Sequence, residues 1–64
     1  MPDAAVLAEL DARIAAIREN IRELVEQAAA QSGAADESLG AERIEAHEAR
    51  LAVAIKERDA AAGR

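Results

Sequence analysis

His47 and the glutamates near it are the residues of this chain whose types suit acid–base or metal chemistry. Two sets of carboxylates recur at helical spacing: Glu19, Glu23 and Glu26, and Glu42, Glu45 and Glu48. Helical bundles that bind two iron ions need inward glutamates and a Glu-x-x-His pair on one helix. The residue three before His47 is Ile44, and both sets map to the outer side of the heptad. We therefore interpret these acids as a solvated face and predict no metal site.

His47 falls on the apolar seam of the second predicted helix, where it has two interpretations. Charging an imidazole inside an interface costs burial energy, so His47 could make an assembly sensitive to pH below about 6.5. Alternatively, it is a tolerated polar residue that fixes the register of the seam. Both interpretations stay open at the level of the sequence.

Catalytic arrangements are missing from the pattern. Ser32 and Ser38 fall in a predicted turn, the only histidine lies on a helix seam, and no glycine-rich phosphate loop follows a strand. A chain of 64 residues also has no room for the usual concave ligand pocket of several hundred Å³ inside one chain. We expect no enzymatic activity and no cofactor.

Two long helices are the elements that the sequence predicts. Proline occurs only at position 2 and glycine only at 33, 40 and 63, so nothing interrupts a helix over 4–31 or 41–62. Asp3 is a suitable N-cap for the first helix, and Ser32-Gly33 is a stop signal. We predict a single all-α domain over 1–64. It is an antiparallel, coiled-coil-like hairpin with helix 1 at about 4–31, a turn at about 32–38 and helix 2 at about 39–61, capped by Asp36 or Ser38.

The first helix has a regular apolar seam with spacings that alternate between three and four. Its members are Leu7, Leu10, Ile14, Ile17, Ile21, Leu24 and Ala28. The seam of the second helix is weaker and reads Ala41, Ile44, His47, Leu51, Ala54 or Ile55, Arg58 and Ala62. We predict an interface built from the large members of both seams together with His47 and Ile55.

The small size of the chain predicts self-association. A chain of 64 residues buries only about 60% of its unfolded surface when it folds alone. Cysteine is absent, which excludes disulfides and thiolate zinc sites. Because helix 2 has fewer large apolar residues than helix 1, we expect a second hairpin to cover the rest, giving a dimeric four-helix bundle. A trimer or larger ring, or pairing with another helical protein, is the alternative.

Three arginines flank the predicted seams: Arg13 on helix 1, and Arg43 and Arg50 on helix 2. Flanking charges set partner choice and orientation in coiled coils. The alternative is ordinary solubilising charge, since exposed pairs contribute only about 0.2–1 kcal/mol. We predict a partner-selecting flank and keep the second interpretation open.

The acidic balance argues against anionic partners. Eight basic residues oppose 13 acidic ones, giving a net charge of −5 that is spread over both halves. Such a surface attracts phosphate backbones and anionic lipids weakly, and the apolar runs are too short to cross a bilayer. We therefore expect neither nucleic acid nor membrane as a partner, and a cytoplasmic location.

Three segments give the chain a resemblance to known proteins: Glu9-Leu10-Asp11-Ala12-Arg13-Ile14, the segment from Glu42 to Leu51, and the joining Ser32-Gly33-Ala34-Ala35-Asp36-Glu37. Together they resemble short helical-hairpin proteins encoded among the morphogenesis genes of bacteriophages and prophages. The resemblance implies a virion assembly component, with the virion as its location.

We predict a helical-hairpin oligomerisation and interaction module that acts as a small structural or adaptor protein. A phage assembly component is the first alternative. The second is an RNA-binding four-helix bundle like the plasmid RNA-modulator proteins of the Rop type, although their phenylalanine and a basic recognition stripe are missing here.

Overall fold

The computed structural model describes residues 3–30 and 37–63. Within these ranges it contains two helices, α1 (Ala4–Ala30) and α2 (Glu37–Ala62), and no strand. This confirms the predicted all-α hairpin. Helix α1 ends one residue before the predicted bound, whereas α2 begins two residues earlier and ends one residue later than predicted. Residues 37 and 38, predicted as turn, are therefore helical.

Helix α1 starts with the predicted cap. The Asp3 carboxylate oxygen Oδ1 accepts a hydrogen bond from the backbone N–H of Ala5 at 2.9 Å and lies 3.5 Å from that of Val6. The Leu7 N–H donates to the Asp3 carbonyl at 3.0 Å, which is the first helical bond. Amide groups of the first turn lack partners inside the helix, so this side chain fixes where α1 begins.

The start of α2 differs from the prediction at Ser38. Because α2 begins at Glu37, Ser38 lies inside the helix and does not occupy the N-cap position. The alternative cap Asp36 and the stop signal Ser32-Gly33 lie outside the described residues. Gly40 lies at the end of the first turn of α2 and packs beside α1. A Cβ on Gly40 would lie 3.9 Å from the Ala28 Cβ.

The two helices run antiparallel in one register. Arg13 contacts Glu57, Asp11 contacts Arg58, and Ala28 lies beside Gly40, so numbers rise along α1 as they fall along α2. Residues that face each other across the seam have numbers that add to 68, as 28 and 40 do. This register gives the layers Leu7 with Ala61, Leu10 with Arg58, Ile14 with Ala54, Ile17 with Leu51, Ile21 with His47, Leu24 with Ile44, and Ala28 with Gly40.

Burial follows these layers closely. All described residues that are buried or half-buried belong to them, with Ile55 as the single addition. Among the described residues, only Leu10, Ile14 and Ala54 are buried, at 8%, 9% and 3% exposure, and none of them is fully enclosed. A pair of helices covers one side of each seam residue, so the other layers keep part of their apolar surface in water.

The hairpin is long and flat. Its Cα atoms span 50 × 14 × 9 Å with a radius of gyration of 14.9 Å, against about 10.7 Å for a compact domain of this length. Its accessible surface is 4736 Å², whereas a compact protein of 6.7 kDa exposes about 3,900 Å². The chain thus exposes about 800 Å² more than a compact monomer of equal mass.

Candidate interaction surfaces

All predicted interface residues lie on the shared seam. Leu10 and Ile14 are buried, and the others are half-buried: Leu7, Ile17, Ile21, Leu24, Ile44, His47, Leu51 and Ile55. They line the contact between α1 and α2 of one chain, and their outer edges remain accessible. Their role in an interface with a second molecule stays a prediction.

Both ends of the α2 seam differ from the sequence pattern. Ala41 and Ala62 are exposed, and Gly40 and Ala61 occupy the seam positions instead. In the middle, where the pattern allowed Ala54 or Ile55, Ala54 is buried and Ile55 half-buried. The correct seam of α2 follows the positions 47, 51, 54, 58 and 61. At its two ends the seam positions have no large apolar side chain, so the sequence pattern does not identify them.

Two ion pairs between the helices flank opposite sides of the seam. Arg13 Nη1 lies 3.4 Å from Glu57 Oε2, and Arg58 Nε donates to Asp11 Oδ1 at 2.9 Å. Arg13 and Asp11 precede and follow the seam positions in the heptad, so the two pairs lie on different broad faces of the hairpin. Neither pair was predicted from the sequence, because neither can be identified before the register of the helices is known.

The first broad face, termed the Arg50 face, contains a shallow groove of about 390 Å³. The groove is lined by Arg13, Ile17, Ala49, Arg50, Val53, Ala54 and Glu57. Its floor is apolar, and Val53 is 55% exposed beside it. The predicted flank residues Arg13 and Arg50 form part of its rim. Arg43 occupies the same heptad position as Arg50, one heptad earlier. All three are exposed, as predicted for a flank.

The opposite broad face, termed the Val25 face, is defined by Ala8, Ala15, Arg18, Val25, Glu48, Ala52 and Ile55. Val25 is 49% exposed, Ile55 is half-buried, and the three alanines are exposed. By their heptad positions, the seam residues Ile14, Ile21 and Leu51 lie on the side of the seam nearer this face. The Val25 face therefore combines apolar side chains with small residues that permit close helix approach.

His47 has a defined hydrogen bond in the seam. Its Nδ1 lies 2.9 Å from the backbone carbonyl oxygen of Arg43, one turn earlier. Because a carbonyl only accepts, Nδ1 is the protonated ring nitrogen of this contact. The layer partner of His47 on α1 is Ile21. Both the pH-sensitive and the passive interpretation are compatible with this placement and remain predictions.

The two carboxylate sets are exposed along their helices, as expected for a solvated face. On α1, Arg22 bridges Glu19 and Glu26, with Nη1 donating to Glu26 Oε1 at 2.8 Å. The hydrogen bond from Arg22 lowers the pKa of the Glu19 carboxyl below its ordinary value of 4.5, and Glu19 raises the pKa of Arg22. These pairs lie within one helix and therefore stabilise α1 rather than the hairpin.

The described part of the chain has neither a cluster of metal ligands nor a membrane-spanning helix. Within 3–30 and 37–63, no three acidic or histidine side chains come together in a group that could bind a metal ion. Over the same ranges, neither helix is both long enough and apolar enough to cross a bilayer.

The surfaces described above are the basis for a functional proposal, because similarity supplies none. Comparison with protein-family models, with curated proteins and with solved structures finds no match to this chain. The resemblance to phage morphogenesis proteins therefore stays a prediction from the sequence.

Proposed function

We propose that this chain is a self-association module, a helical hairpin that pairs with a second copy as a four-helix bundle and acts as a small structural or adaptor protein. The observation that supports the proposal is the incomplete core. Only three described side chains are buried, and the remaining seam layers stay half-buried. These layers leave an accessible apolar strip along the hairpin, and such a contiguous surface on a small protein marks an interaction site.

The exposed area has the right size for this purpose. A stable protein interface removes about 800 Å² from each partner, which matches the excess of about 800 Å² that the chain shows over a compact monomer. Pairing two hairpins would bring each chain near the surface area normal for its mass. The seam layers that one helix pair leaves half-buried would then be covered on a second side.

Sedimentation equilibrium with far-UV circular dichroism, over a hundredfold dilution, tests this proposal. We expect a discrete dimer whose helicity falls as it dissociates, because self-association completes the core. A helical monomer at every concentration would contradict the proposal. A poorly helical monomer would mean that a different protein supplies the missing surface.

The arginines of the Arg50 face favour one alternative function. Arg13, Arg43 and Arg50 share a face, and a similar hairpin dimer of the Rop type binds RNA. Arg13 is already paired with Glu57, and the net charge of −5 opposes binding to phosphate. A gel shift with structured RNA, repeated at 50 and about 200 mM salt, tests this alternative. Salt-sensitive binding that Arg43→Glu and Arg50→Glu both weaken would support it over a purely structural role.

Assembly of a phage particle is the setting that the sequence resemblance suggests for such a module. The proposal is that the hairpin dimer joins other virion proteins. Encoding of the chain among head or tail genes would support this setting, and its presence in purified particles would establish it. Absence from particles produced by such a gene cluster would count against it.

A further inference from the structure

Over residues 18–22 of α1 and 45–48 of α2, the Val25 face separates its charges by helix, whereas Asp11 and Arg58, farther from the turn on the same face, are already paired with each other. On α1 it presents Arg18 and Arg22, and on α2 it presents Glu45 and Glu48. Among the described residues, Arg18, Glu45 and Glu48 take part in no ion pair of the hairpin, whereas Arg22 is bridged to Glu19 and Glu26. One helix thus offers a basic patch and the other an acidic patch on the same side of the molecule.

These patches lie at matching heights along the hairpin. In the register where opposite numbers add to 68, Arg22 is level with residue 46 and Arg18 with residue 50. Glu45 and Glu48 are therefore displaced by one and two residues, or about 1.5 and 3 Å along the axis. Ala15 and Ala52 lie at nearly equal height in the same way. These offsets are within the reach of an arginine side chain.

We propose that a second copy of this chain binds the Val25 face across a twofold axis that runs parallel to the helices. Rotation about such an axis leaves the position of every residue along the helices unchanged. It places α1 of each copy antiparallel to α2 of the other. Arg18 then meets Glu48 of the second copy, Arg22 meets Glu45, and Ala15 approaches Ala52. This proposal rests on the self-association proposed above and names its surface and its geometry.

Charge disfavours another twofold arrangement on this face, in which the axis is perpendicular to the helices and level with these four residues. An axis perpendicular to the helices would lay α1 on α1 and α2 on α2. Arg18 and Arg22 of both copies would then cluster, and so would Glu45 and Glu48. Like charges brought together at an interface are repulsive and select against that pairing. The axis parallel to the helices instead joins an arginine with a glutamate in both symmetry-related copies of each contact.

The charged row beside the seam also favours the Val25 face over the Arg50 face, although the exposed side chains of Val6, Leu39 and Val53 lie on the Arg50 side. Val25 and Ile55 add to the accessible edges of Ile14, Ile21 and Leu51, and alanines at the contact permit close packing. On the Arg50 face, the positions beside the seam are Val6, Arg13, Asn20, Gln27, Arg43, Arg50 and Glu57. Burying that row would cost the desolvation of several charges.

Charge reversals at Arg18 and Glu48 test this arrangement. Arg18→Glu alone and Glu48→Arg alone should each weaken the homodimer about tenfold, because both symmetry-related contacts then join like charges. An equimolar mixture of the two variants should restore the native affinity, because each contact of the heterodimer again joins Arg with Glu. Within each variant chain, residues 18 and 48 carry charges of the same sign. Recovery in the mixture can therefore come only from contacts between the two chains.

Arg50→Glu is the matched control on the opposite face, and it should leave the dimer dissociation constant unchanged. Sedimentation equilibrium measures the affinities, and circular dichroism checks that each variant stays helical. Homodimers of both single variants as stable as the native dimer, or a mixture without preferred heterodimer, would overturn the arrangement. Loss of dimer in Arg50→Glu alone would place self-association on the Arg50 face. A native chain that stays monomeric would overturn the proposed function itself.

Discussion

The distal half of the hairpin, residues 4–17 and 51–62, differs in its packing from the turn half, residues 18–30 and 37–50. The three buried side chains, Leu10, Ile14 and Ala54, all lie in the distal half. Both ion pairs between the helices lie there as well. In the turn half every seam residue is only half-buried, one layer contains His47, and the ion pairs of Arg22 stay within α1.

This difference shows that the register is held far from the turn. The buried side chains of Leu10, Ile14 and Ala54, together with the ion pairs that join residues 44 and 47 positions apart, align α1 with α2 in this half. In the turn half, ion pairs within α1 stabilise that helix alone, and α1 and α2 approach each other closely where Gly40 faces Ala28. We infer that the distal half supplies most of the tertiary stability and that the turn half tolerates more change.

The largest effect is expected from Ile14→Ala. Removing a buried branched side chain leaves a cavity, and we expect a loss of about 2–3 kcal/mol in the free energy of unfolding. Ile21→Ala is the matched control, because Ile21 occupies the same heptad position in the turn half and is half-buried. Its loss should be about half as large. Equal losses in urea unfolding would remove the distinction between the halves.

His47→Leu should raise stability by about 1 kcal/mol, because it adds apolar surface to a half-buried layer opposite Ile21. The measurement is the thermal midpoint at pH 5.5 and at pH 8. The pH-sensitive interpretation requires a larger gain at pH 5.5, where an interface would have to accept a charged imidazole. Equal gains at the two values would leave His47 as a passive register residue.

Gly40→Ala is expected to stabilise the turn half by about 0.5–1 kcal/mol, because alanine reduces the freedom of the unfolded chain and favours helix. The added Cβ would lie 3.9 Å from the Ala28 Cβ, which is ordinary contact. Gly63→Ala is the control: it lies at the end of α2, and its Cβ would lie 3.3 Å from the Asp59 carbonyl oxygen. A loss of stability in Gly40→Ala would show that α1 and α2 need closer approach there.

The smallest effect is expected at the exposed ion pairs. A double-mutant cycle with Asp11→Asn and Arg58→Gln should give a coupling of about 0.5 kcal/mol that decreases with salt. A second cycle with Glu19→Gln and Arg22→Gln tests a pair that stabilises α1 alone. Coupling in the second cycle without coupling in the first would mean that the distal ion pairs do not hold the register.

Much of the fold follows from the sequence because heptad spacing and the residues that begin or end helices are local signals. Leu7 through Leu24 predicted the α1 seam, and Asp3 predicted its cap. Gly40 was left out of the predicted α2 seam because glycine has no side chain to extend an apolar pattern, so its seam position was assigned to Ala41. The pairs of Asp11 and Arg13 depend on a register that only packing determines. The two faces become distinct only after those pairs are located.

The flat outline of the hairpin has a consequence for how far assembly can proceed. A body 50 Å long and 9 Å thick at its Cα atoms has two broad sides, and each is large enough to meet another copy. Use of one side closes the assembly at two copies, whereas use of both sides produces an open stack that never closes. In the proposed dimer, the row of Arg13, Arg43 and Arg50 beside Val53 would keep the second broad side free and so stop the assembly at two copies. Its replacement by small apolar residues is expected to convert a finite particle into a fibre.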